Sequence, residues 1–69
     1  MKRKEVMLFR RESAPWGAWV ICAWHQTFEG ARTSLKDKDP GYYRILDMAS
    51  MEYRDFRVAR PNNVITEVP

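Results

Sequence analysis

Apolar and polar positions alternate unevenly along this chain, and the irregularities carry most of the information. Residues 5–11, EVMLFRR, place Val6 and Leu8 on one face of an extended segment and Met7 and Phe9 on the other. ESAPWG follows, with Pro15 and Gly17 marking a turn that carries Trp16. Residues 18–26, AWVICAWHQ, read as a second strand forming an antiparallel hairpin with the first. Strict alternation puts Trp19, Ile21, Ala23 and His25 on one face. It puts Ala18, Val20, Cys22, Trp24 and Gln26 on the other.

The middle of the chain is ambiguous. Residues 27–41, TFEGARTSLKDKDPG, fit either an irregular connection or a short strand near 31–35, and KDKDPG is turn chemistry. Residues 42–52, YYRILDMASME, predict a helix with Asp39 as N-cap and Pro40 at the first helical position. Tyr42, Ile45, Leu46, Ala49 and Tyr53 then form one apolar stripe. A strand over YYRILDM after a DPG turn is the alternative. Residues 54–60, RDFRVAR, predict a strand with Phe56 and Val58 on one face and Asp55, Arg57 and Ala59 on the other. PNN is a turn in which Asn62 and Asn63 can take left-handed backbone conformations, and VITEVP is a short edge strand or a tail. The expected fold is α+β: a small antiparallel sheet, ββαβ with a possible short C-terminal strand, and one helix packed on one face.

Length limits what this pattern can build. Sixty-nine residues make a single domain, 1–69, with residues 1–4 expected as a flexible basic terminus. A chain of this size buries only about 60% of its unfolded surface, so disulfides, a metal or a partner chain usually help. One cysteine permits no internal disulfide. The VMLF run is too short for a signal peptide before Arg10 and Arg11 intervene, and nothing approaches the ~20 apolar residues of a membrane helix. The expectation is a cytosolic protein with no membrane association.

Net charge of +3 changes the picture little once it is located. Residues 1–11 hold five basic side chains against Glu5, while the remainder holds seven basic and eight acidic. The excess therefore sits at the N-terminal end.

Candidate chemistry is sparse. Cys22 and His25 fall on opposite sides of a regular strand, and no other Cys or His could complete a structural zinc site. No serine is marked by its surroundings as a nucleophile for His25, and no glycine-rich phosphate loop exists. The reading is a non-enzyme without metal, cofactor or small-molecule substrate.

What remains is a strand apolar on both sides. One helix covers one face of a small sheet, so the second must be covered by another segment or by a partner. TFEGARTSLKDK and VITEVP are the internal candidates. Trp and Arg anchor many protein interfaces. Trp16, Trp19 and Ile21 with Arg57 and Arg60 are therefore the expected partner-binding residues, the partner being another protein or a second copy of this chain. A nucleic-acid alternative uses Trp and Phe stacking, with Arg10, Arg11 and Arg54 reaching phosphates.

At MASMEYRDFRVARP, the predicted helix runs out through an aromatic residue into a strand ending in Arg-Pro. With the hairpin before it, this layout resembles that of small phage-encoded host-takeover proteins, such as inhibitors of bacterial RNA polymerase and anti-CRISPR proteins. The resemblance implies a protein that inhibits by occluding a surface on a host machine. It carries over no particular residue.

Overall fold

The structure is a computed structural model and describes residues 5–11 and 17–68. The expected terminus at 1–4, most of the first turn and Trp16 lie outside the described residues. The elements are β1 (Val6–Arg11), β2 (Trp19–His25), α1 (Phe28–Ser34) continued by a 3-10 turn (Leu35–Asp37), β3 (Gly41–Asp47), β4 (Glu52–Ala59) and β5 (Val64–Val68). The strands form one antiparallel sheet in the order β2-β1-β3-β4-β5, with the helix against one face. The α+β class and the antiparallel sheet with one helix are as the sequence predicts. No helix among the described residues is long and apolar enough to cross a membrane.

The helix, however, lies in a different segment from the one predicted. Residues 42–52 are not helical: 41–47 form β3, 48–51 turn, and β4 begins at Glu52. The helix occupies part of 27–41, where a strand or irregular connection was expected. Thr27 is its N-cap, extended at φ −135°, with Oγ1 accepting a 3.0 Å hydrogen bond from the Gly30 N–H. Two turns of helix are marginal alone, and packing completes them. Ala31 and Leu35 are wholly buried, and Phe28 packs on the core.

In β3 a period of two prevails over the apparent helical stripe. Tyr43 and Ile45 are buried under the helix, while Tyr42, Arg44 and Leu46 point the other way. Asp39, expected as a cap, instead uses its carbonyl to accept a 2.6 Å hydrogen bond from the Tyr43 hydroxyl. Asp47 Oδ1 accepts from the Ala49 N–H at 3.0 Å, and Met51 takes a left-handed φ of 57°. This side-chain-stabilised turn reverses the chain where a helix was expected.

Val6, Leu8, Tyr43, Ile45, Phe56 and Val58 project toward the helix and join Ala31 and Leu35 in the core. The alternation expected for β1 and β4 is therefore the one observed. Asn62 and Asn63 have φ values of 66° and 46°, and β5 follows as an edge strand. The Asn63 side-chain amide donates to the carbonyls of Lys36 (2.7 Å) and Lys38 (3.2 Å), tying this turn to the end of the helical segment.

Candidate interaction surface

Register decides which side chains share a face. On β1, Met7, Phe9 and Arg11 point away from the helix. Their partners on β2 are Trp24, Ile21 and Trp19. Directly opposed residues in an antiparallel pair project to the same side. Between Leu8↔Ala23 and Phe9↔Ile21 the register shifts by one, leaving Cys22 as an extra, unopposed residue. That is a β-bulge, and it inverts the phase of the strand.

The bulge corrects the strict alternation read from AWVICAWHQ. Trp19 and Ile21 do not share a face with Ala23 and His25. They share one with Trp24, while Ala23 and His25 turn toward the helix beside Val6 and Leu8. Ala23 packs on the core. The His25 imidazole approaches Gly30 of α1, and its Nε2 is buried without a hydrogen-bond partner among the described residues. The bulge also removes the alternation argument separating Cys22 from His25. Among the described residues, no group of three or more His, Cys, Asp or Glu is placed to hold a metal ion.

The face away from the helix thus collects Met7 and Phe9 from β1 and Trp19, Ile21 and Trp24 from β2. Tyr42 and Leu46 from β3, Tyr53 from β4, and Val64 and Val68 from β5 complete it. Neither internal candidate covers it. TFEGARTSLKDK supplies the helix on the opposite face, and β5 widens the sheet instead of folding over it. Ile21 remains 49% exposed, Trp24 44% and Tyr53 56%. Full burial of one such side chain is worth about 1.5–3 kcal/mol, and these are already about half buried, so covering each would add roughly half of that.

At its centre stands Arg44. Its guanidinium lies 4.5 Å from the Trp19 ring and 4.2 Å from the Tyr53 ring, spanning from β2 to β4. Asp55, directly opposite on β4, accepts two hydrogen bonds from it, at 2.7 Å from Nε and 3.0 Å from Nη2. Donating to the Asp55 carboxylate holds the Arg44 pKa above its ordinary value, against a smaller opposing effect of burial. Sequence reasoning missed this residue. Two aromatics and a carboxylate around one arginine become visible only once the strands are in register.

The predicted site residues are divided. Trp19 and Ile21 lie on the open face with Arg11 and Arg57, and Arg60 sits in the exposed turn after β4. Arg11 packs its guanidinium where a Cβ on Gly17 would stand, and Gly17 has the left-handed φ of 55° that only glycine adopts freely. Arg10 and Arg54, expected beside Arg11 in a nucleic-acid site, are on the helix side. There Arg54 lies over Phe28 at 5.6 Å and 3.8 Å from Glu67. The three arginines therefore form no common phosphate-binding surface.

Two shallow cavities open on the helix side. One, of about 260 Å³, is lined by Phe28, Glu29, Asp47, Ser50, Glu52 and Arg54; the other, of about 390 Å³, lies near Asn63 and Ile65. In the first, Ser50 lies among the carboxylates, its hydroxyl oxygen accepting a 3.3 Å hydrogen bond from the Glu52 N–H. Compared with known proteins, the chain matches no protein-family model, no curated protein and no solved structure.

Proposed function

We propose that this protein is a non-enzymatic binding module that docks another protein on the open face of its sheet. It modulates that partner by occupying the partner's surface; the helix on which the resemblance to phage-encoded inhibitors rested is a strand and turn, so the proposal stands on the open face alone. One observation carries the reading: the bulge at Cys22 brings Trp19, Ile21 and Trp24 onto the face the helix leaves uncovered. The charge on that face supports it. Arg44 is compensated by Asp55, while Arg11 and Arg57 make no ion pair among the described residues. The complementary partner is an apolar surface fringed by carboxylates.

Base stacking is the rival reading, favoured by Trp19, Trp24 and Tyr53 sharing a face with Arg11 and Arg57. Against it, Arg44 is already held by Asp55, and Arg10 and Arg54 project from the other side.

The test is affinity capture from bacterial lysate with the tagged full chain, with and without nuclease, beside the double variant Ile21→Ser/Trp24→Ser. The expected result is a stoichiometric protein band that resists nuclease and is absent from the variant. The variant should still unfold cooperatively, with a midpoint lowered only by the half-buried apolar area removed. Loss of the captured material on nuclease treatment would hand the face to nucleic acid. A band retained equally by the variant would remove the open face from the site.

A further inference from the structure

The sheet has two outer strands, and they are built differently. β2 is interrupted by the bulge at Cys22, which spoils its outer edge as a template for pairing. β5 is regular. Val64–Val68 run in unbroken register along β4, from Ala59↔Val64 to Asp55↔Val68. The segment VITEV contains no proline, no lysine and three β-branched residue types. Its ladder exists on one side only, and its other edge has no backbone partner among the described residues. Glu67 is the one charged side chain on this edge, and an otherwise regular edge of this kind is a pairing site.

We infer that the occupant of this edge is β5 of a second copy, paired antiparallel about a two-fold axis through Thr66. The strand is self-complementary in that register. Val64 meets Val68 of the second copy, Thr66 meets Thr66, and Ile65 meets Glu67. The single charged residue of the strand, Glu67, thereby faces an apolar side chain and not its own copy. Shifting the axis to Glu67 would set two carboxylates directly opposite, which is destabilising. Shifting it to Ile65 would pair only three of the five residues. The register about Thr66 is thus the one that uses the whole strand and opposes no like charges.

Thr66 shares a face with Val64, Val68 and Arg57. Pairing about an axis normal to the sheet extends five strands to ten. Both helices then lie on one side, and the two open faces become one continuous surface. This dimer uses the edge and not the face, so it stands or falls separately from the proposed binding function.

Sedimentation equilibrium on the full chain, from micromolar to near-millimolar concentration, tests it. The average mass should rise from 8.2 kDa toward twice that value. Thr66→Lys sets like charges at the axis beside Arg57 and should weaken association by about fivefold, whereas Thr66→Glu, partly offset by Arg57, should weaken it less. An equimolar mixture of the two variants should associate at least as tightly as the parent, which separates a broken interface from a damaged fold. A parent chain monomeric throughout would overturn the inference. So would a dimer indifferent to both variants and to their mixture, because its interface would lie elsewhere.

Discussion

The two faces of this sheet are made from the same strands and nearly the same residue types, yet they have different physical roles. On the helix side, Leu8, Ile45 and Phe56 are sealed beneath Ala31 and Leu35. On the other side Ile21, Trp24 and Tyr53 stay about half exposed. Hydrophobicity alone does not distinguish them. What separates them is the single short helix, which reaches one side only.

The largest effect should come from the sealed side. Leu8→Ala removes a fully buried side chain from the centre of the core and should cost about 2–5 kcal/mol. In a domain this small that is a large part of the total stability. Denaturant unfolding would measure it, and a loss below about 1 kcal/mol would erase the contrast between the faces.

A smaller effect is expected where the open face has an organisation of its own. Arg44→Ala removes the paired hydrogen bonds to Asp55 and the stacking on Trp19 and Tyr53. Arg44 and Asp55 side chains are 29% and 25% exposed, so solvent screens part of the gain. The expected loss is about 1–2 kcal/mol. A double-mutant cycle with Asp55→Ala would give the share due to the pair, and a coupling near zero would make Arg44 a packing residue only.

The smallest effect concerns pH. Burial, more than its charged neighbours, pushes the Tyr43 hydroxyl above its ordinary value. The unfolded chain then loses this proton first. Stability from this group is complete below about pH 10 and is lost as pH rises through the folded value. Tyr43→Phe should flatten that alkaline slope, at a cost of about 1 kcal/mol near neutrality for the lost hydrogen bond to Asp39. An unchanged alkaline slope in the variant would assign the titration to another group.

Legibility in the sequence follows the range of the interactions involved. The alternation of Val6 with Leu8 and of Phe56 with Val58 is local, and it grouped the faces of β1 and β4 correctly without saying which of them the helix covers. The left-handed turn at Asn62 and Asn63 was legible for the same reason. The helix was misplaced because YYRILDM serves a central strand apolar on both sides, and an apolar run of that kind imitates a helical stripe. The real helix was hidden by its shortness and by Gly30 within it, although Thr27 as a cap was a readable signal. The bulge was illegible because an extra residue on one strand is defined only against its partner. Without it Trp19 and Trp24 belong to opposite faces, and the composition of the open surface cannot be reconstructed.

That one surplus residue has a consequence for how the strand tolerates a change in its length. An added or lost residue in a strand reverses the direction of every side chain beyond it unless a bulge absorbs the change. Deleting Cys22 would take out the bulge together with the surplus residue, leaving Trp19 and Trp24 four residues apart and still on one side of a regular strand. The shared side of the two tryptophans therefore survives that loss, while the outer edge of β2 would become as regular as that of β5.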